Sequence, residues 1–260
     1  MRLPLAIAAI LLVAAAAAPP KADEIPVSER RSGFSFMTPE TQAMQNDDMS
    51  NPGMLWAKDA EVLWSSKANA AEKSCADCHG DVATSMPGVA ARYPDFDAAQ
   101  ARPVSLDQRI NLCRTRHQQE APFPYESREL LALSALIGRQ SRGLAIQPGT
   151  DSHLAPFLAA GRALFMQREG QLNLACTNCH DDNWDKHLAG SPVTQAHPTG
   201  YPEYRLEWQT LGSLERRLRS CMAGTRAQPY DFGSLEMVEL ELYLMSRAAG
   251  MPVETPAVRP

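Results

Sequence analysis

Apolar positions recur along the chain at helical rather than strand spacing, and they do so in two places that mirror one another. Val238, Leu242 and Met245 keep an i, i+4, i+7 stripe while Glu239 and Glu241 fall off it, the pattern of an amphipathic helix. The earlier run Glu129–Ile137 echoes Glu236–Leu244. Ser105 and Ser213 each precede such a stretch and are followed by Asp107 and Glu215, so each predicts a capped helix with an acidic first turn. Alternating runs of Val, Ile, Thr and Tyr are few, and strand signals are correspondingly weak. Residues 23–54 lack any period and are rich in Ser, Pro and Asn, which predicts an extended arm lying over the surface or onto a partner. The first residues differ in kind: Arg2, an apolar run to Val13 and five alanines to Ala18 predict a secretory signal over residues 1–22, cleaved on export to the periplasm. No later stretch approaches the ~20 apolar residues of a membrane span.

The mirroring extends to whole halves. Trp64 stands eleven residues before Cys75, and Phe165 eleven before Cys176. Downstream, Ser105–Cys113 (SLDQRINLC) aligns without a gap on Ser213–Cys221 (SLERRLRSC), with four of nine positions identical and two conservative. Each half reads as helix, Cys-x-x-Cys-His motif, long loop, helix carrying a cysteine, amphipathic helix. The expected fold is mainly α: two tandem cytochrome c-like domains over residues 55–147 and 148–260, related by internal duplication, with the extended arm before them. The turn cluster Pro148-Gly-Thr-Asp151 places the division between Gly143 and Ala155.

Composition narrows the chemistry. A net charge of −5 argues against wrapping a polyanion such as nucleic acid, and 44% hydrophobic content argues against disorder. Six cysteines in 260 residues are too sparse for a disulfide-built scaffold. Their placement is informative. Cys75-Ala-Asp-Cys78-His79 and Cys176-Thr-Asn-Cys179-His180 each fit covalent haem attachment: Cys75, Cys78, Cys176 and Cys179 as thioether anchors, His79 and His180 as proximal iron ligands. A redox dithiol needs no adjacent histidine, and a zinc site needs four ligands per metal. Two covalently bound haem c groups are therefore expected.

The sixth iron ligand decides what such haems do. Cys113, His117 and Met86 are candidates in the first half, and Cys221, Met222, Met237 and Met245 in the second. Only Cys113 and Cys221 occupy matching repeat positions. Each sits beside arginines (Arg109, Arg114 and Arg116; Arg217 and Arg226), whose charge favours a thiolate. A Cys113–Cys221 disulfide and a pair of inert buried thiols are the alternatives. Arg217 lies four residues before Cys221, one helical turn away on the same face, where a guanidinium can hold an oxyanion by bidentate, charge-assisted bonds. Pairing with a haem propionate is its other reading. Arg226 fits propionate binding better than catalysis, and His197 and Lys186 read as ordinary surface groups.

From Cys176 to Pro229 the sequence resembles the SoxA family, the dihaem subunits of the SoxAX cytochromes of bacterial sulfur oxidation. The resemblance rests on Asn183–Gly190, His197–Trp208 and Arg217-Leu-Arg-Ser-Cys-Met-Ala-Gly-Thr-Arg-Ala227, and it weakens but continues through the first half. Retention of Cys75-x-x-Cys-His79 is similar to the two-haem members. The resemblance implies an L-cysteine S-thiosulfotransferase that joins thiosulfate oxidatively to a cysteine of the carrier protein SoxYZ. It also implies a heterodimer with the SoxX cytochrome, through which electrons reach a soluble cytochrome c. Matched residue by residue, it makes Cys221 a cysteine persulfide at the active-site haem and Arg217 the substrate-binding catalytic arginine. A dihaem electron carrier without substrate chemistry is the competing reading.

Overall fold

A computed structural model describes residues 25–68, 70–188 and 190–260; the expected signal segment lies outside them. Two packed helix pairs dominate. In the first half α2 (Gly53–Ser65) packs along α6 (Arg128–Arg139), and in the second α7 (Ala155–Met166) packs along α10 (Leu235–Arg247). α6 is enclosed on every side, Leu130 to Gly138 all being buried, and Ala60, Trp64, Leu133 and Leu136 close a core on one of its faces. Phe165, Leu240, Tyr243 and Leu244 form the matching core of the second half. Met237 is fully buried in α10, Met86 lies in the first core, and Met245 packs at the seam cluster below, so all three serve as filler.

The predicted caps are present. Ser105 accepts a hydrogen bond from Gln108 N and opens α5 (Leu106–Cys113); Ser213 accepts from Arg216 N and opens α9 (Leu214–Gly224). The motif cysteines begin one-and-a-half-turn helices, α3 (Cys75–His79) and α8 (Cys176–His180), with α4 (Val82–Ser85) just after the first. Ser74 and Asp77 cap α3 reciprocally; at α8, Asn178 Oδ1 accepts from Ala175 N at 3.0 Å, and Ala175 has no side-chain oxygen to return the bond.

Strands are short. β1 (Asp95–Asp97) pairs with β2 (Arg102–Val104), β3 (His187–Leu188) with β4 (Ser191–Pro192), and β5 (Glu203–Arg205) with β6 (Thr210–Gly212), all antiparallel; the terminal β7 (Ala257–Arg259) adds to β5 in parallel. This last pairing makes the chain end a structural part of the second half. The halves are also laced together: Gly143 N donates to Val253 O and Ile146 N to Met251 O, each at 2.8 Å, and Ala91, Ile146, Ala248 and Val253 form a buried cluster at the seam.

The arm is more structured than its sequence suggested. It carries α1 (Pro39–Asn46), with Thr38 as cap, and lies across the second half. Arg31 N donates to Gln195 Oε1 at 2.6 Å, Ser32 Oγ to Glu254 at 2.6 Å, and Gln45 Oε1 accepts from Val258 N at 3.1 Å. His197, read from sequence as a surface group, is instead buried: its Nδ1 lies 2.9 Å from Arg31 O and burial pushes its pKa down to about 4. Lys186 is exposed, as expected, and bonds Asn183 at 2.6 Å.

Candidate active site

The two cysteine-bearing helices each lean over the motif helix of their own half. In the second half the Cys221 thiol comes within hydrogen-bond reach of His180, while His180 Nδ1 lies 2.6 Å from Thr194 O. That second bond fixes the imidazole and leaves Nε2 turned to the interior, the arrangement of a histidine prepared to ligate a metal. Asp181, next in sequence, is pinned by the buried Arg247 at 2.6 Å, and Arg247 in turn lies 4.6 Å over the Phe165 ring. Cys176 and Cys179 lie near enough to Cys221 that its charge raises both thiols further after burial, Cys176 to about 12. In the first half Cys113 lies against Cys75 and Cys78, and His79 tilts against Trp64, ring centres 5.8 Å apart, with Trp64 Nε1 bonded to Gly80 O. All six cysteines are unpaired thiols, each spare one beside its own motif. Paired thiols, an adjacent histidine and a facing soft donor suit a haem c in both halves, and no Cys113–Cys221 contact is formed.

The two distal thiols are not electrostatically equivalent. Burial pushes Cys221 up, but the hydrogen bond from His180 and the charges of Arg217 and Arg205 outweigh it, so its pKa is lowered. At Cys113 burial wins over Arg109 and Arg116, and the thiol is raised. The neighbouring arginines were expected to favour a thiolate in both halves, and the first departs from that. The reason is that its arginines are already engaged. Arg109 pairs with Asp97 at 2.8 Å, Arg116 with the same carboxylate at 3.5 Å, and Arg114 turns to Ala121 O and the Phe123 ring. Arg217, by contrast, forms no ion pair among the described residues, and the charge that acts on it most strongly is that of Cys221.

Beside the second motif, the hairpin before Cys176 closes on the turn after Cys221. Gly170, at φ +69°, lets its backbone meet Thr225 O, where a Cβ would lie at 2.3 Å; Gln171 N and Leu172 N donate to Arg226 O and Thr225 O. A cleft of about 510 Å³ opens here, lined by Glu169, Gln171, Arg226, Pro229 and Tyr230. Arg226 is exposed in it and reaches Gln171 at 3.5 Å.

Sequence reading missed Tyr93, Tyr201, Asp97 and Arg205, which surround the two key arginines. A signal was present: Tyr-Pro stands twelve residues before the capping serine in both halves, at Tyr93-Pro94 and Tyr201-Pro202.

Two helical units, each setting Cys-x-x-Cys-His against a facing cysteine, define a cytochrome c built for haem c, and the chain belongs to the SoxA/TsdA cytochrome c domain family, which matches residues 59–146 and 160–253. Within that family its relatives are SoxA proteins. The L-cysteine S-thiosulfotransferase subunit SoxA of Pseudaminobacter salicylatoxidans is 37% identical over 96% of this chain and 87% of its own, and that of Rhodovulum sulfidophilum 36% identical over 89% and 80%. Among solved structures, SoxXA from P. pantotrophus superposes with a TM-score of 0.85 at 30% identity, covering 89% of this chain and 87% of that one. Among the described residues no helix is long and apolar enough to cross a membrane.

Proposed function

We propose that the chain is the catalytic subunit of an L-cysteine S-thiosulfotransferase carrying two covalent haem c groups in the periplasm. Cys75 and Cys78 would attach the first and Cys176 and Cys179 the second; His79 with Cys113, and His180 with Cys221, would hold the two irons. Thiosulfate is joined to a cysteine thiol of the carrier SoxYZ: one S–S bond forms, one proton leaves the thiol, and two electrons are released. A haem held by Cys176, Cys179 and His180 would supply electron acceptance at this site, with the SoxX partner and a soluble cytochrome c as the onward acceptors. The relatives' names and the likeness to SoxXA support the activity and the SoxX heterodimer.

The chain's own residues prepare that step. Cys221, whose surroundings favour the thiolate form over the thiol, presents a polarisable sulfur and is the residue assigned the persulfide. Arg217, one turn earlier on α9, faces the same sulfur and holds the sulfonate oxygens of thiosulfate in a fork. There it also stabilises negative charge that builds as the S–S bond forms. The observation that carries this reading is the contrast between Arg217, which no carboxylate claims, and Arg109, which Asp97 holds at 2.8 Å. The engaged first site fits a dihaem carrier's needs and no more.

Cys221→Ala is expected to keep both haems attached while abolishing electron release driven by thiosulfate and carrier protein. In the native chain the Cys221 peptide should carry an additional ~32 Da, one sulfur atom. Unchanged turnover in the variant would favour the carrier without substrate chemistry.

A further inference from the structure

The internal repeat runs further back than the capped helices. Tyr93-Pro-Asp-Phe-Asp97 falls on Tyr201-Pro-Glu-Tyr-Arg205 without a gap, and strand register agrees: Asp97 lies opposite Arg102 on β2, as Arg205 lies opposite Thr210 on β6. Each tyrosine interacts with the arginine of its own half, Tyr93 with Arg109 and Tyr201 with Arg217. The two sites therefore share a cysteine, an arginine one turn before it and a tyrosine. Among these equivalent charged positions they part at the end of the first strand, where one half has a carboxylate and the other a guanidinium.

The consequence of that exchange can be followed atom by atom. In the first half Asp97 Oδ2 takes Arg109 at 2.8 Å and Arg116 at 3.5 Å, and the carboxylate is almost fully buried. In the second half Arg205 is the buried group and directs its nitrogens elsewhere: Nη1 to Glu203 at 3.2 Å and Nε to Glu207 at 3.0 Å, with its head 5.1 Å over the Trp208 ring. Glu203 and Glu207 are the carboxylates whose charge reaches Arg217. Arg205 occupies both, and Arg259 leans on Glu203 from the other side at 3.9 Å. A carboxylate engaged by one guanidinium has less to offer a second, so Arg217 keeps its donors for an incoming anion.

We propose that Arg205 is the positioning residue that keeps Arg217 unpaired, and that the Asp97/Arg205 difference between the repeats decides which haem site admits a sulfur oxyanion. The proposal rests on the reading of Arg217 as the thiosulfate-binding group. It assigns Arg205 no contact with substrate; besides the charge it adds near Cys221, its part is to hold Glu203 and Glu207 away from Arg217.

The test uses the haem-loaded complex with its partner subunit. It measures thiosulfate binding by calorimetry without carrier protein, and KM and kcat with it. Arg205→Asp, which recreates the first-half clamp, should weaken thiosulfate binding in the absence of carrier protein and raise KM, each by about tenfold. Arg205→Gln, which releases the two glutamates, should shift both in the same direction by several-fold, and Arg205→Lys should stay near the native protein. Asp97→Asn should add a second, weaker thiosulfate-binding event by freeing Arg109. Native-like binding in Arg217→Ala would sink the anion-site reading itself. Loss of binding in Arg217→Ala together with native-like binding in folded Arg205→Asp and Arg205→Gln would leave that reading standing and overturn this one. Should Arg205→Asp fail to load haem, Arg205→Gln and Asp97→Asn decide: neither effect appearing overturns the proposal.

Discussion

Cys113 and Cys221 are one residue type at one repeat position, and their surroundings push them in opposite directions. Cys221 is favoured as a thiolate by His180 and Arg217, whereas at Cys113 burial prevails because Asp97 has claimed the nearest arginine. On the proposed reading substrate chemistry belongs to Cys221 alone, so Cys113 should be replaceable. Cys113→Met is expected to retain the first haem through Cys75 and Cys78, to raise that haem's potential because a thioether donates less electron density than a thiolate, and to leave thiosulfate turnover within about twofold. A potentiometric titration alongside the assay checks this; lost turnover would move substrate chemistry to the first site. The cysteines and Arg217 were legible in the sequence because a helix fixes what lies one turn away. Asp97 and Arg205 were not, because they sit on strands of three residues, too short to show alternation, and reach their arginines only through tertiary folding.

At the scale of elements, the helix pairs carry the architecture, and the contact between α7 and α10 is the tighter. Gly161 lies where α7 crosses α10, and a Cβ there would fall 1.9 Å from Glu239 O. The repeat places Ala60 at the same position in α2, fully buried, so the first pair has room for a methyl group that the second lacks. Gly161→Ala is expected to destabilise the chain by about 1–3 kcal/mol through forced separation of backbones, despite alanine's better helix propensity. Ala60→Gly should cost about 2 kcal/mol, through propensity and the lost methyl. Thermal unfolding checks both variants, and a Gly161→Ala chain as stable as the native one would remove the close-approach argument. Helices of this kind were readable from periodicity and from Ser105 and Ser213. The arm helix α1 and the parallel pairing of β5 with β7 were not, since both are stabilised by partners more than fifty residues away, such as Gln45 with Val258.

The whole molecule is held at a seam where equivalent acids of the two halves meet. Asp107 and Glu215, two residues after their capping serines, were read as first-turn acids answering a helix dipole, and they do lie there. Folding also brings them together across the seam with Glu126 and Glu241. Burial raises Asp107 to about 6 and Glu215 to about 7; Glu126 raises both further, and Asp107 adds to Glu215. Bonds across and beside the seam fix the arrangement: Gln108 Nε2 donates to Gly233 O at 2.9 Å and Ser213 N to Glu126 at 3.3 Å across it, and Gly233 N donates to Glu215 at 2.7 Å within the second half. An acid whose pKa is raised on folding holds its proton in the native chain at pH values where the unfolded chain has released it. Stability contributed by that proton is thus fully present below the unfolded value of 4.5 and is lost as pH rises through about 7. For Glu215, 4% exposed, the loss amounts to about 3 kcal/mol. Glu215→Gln keeps an acceptor for Gly233 N and cannot ionise. It is therefore expected to match the native protein near pH 5 and to exceed it in stability near pH 7.5. Denaturant unfolding at the two pH values checks this, and parallel pH profiles for variant and native protein would show that the seam acids do not titrate in this range.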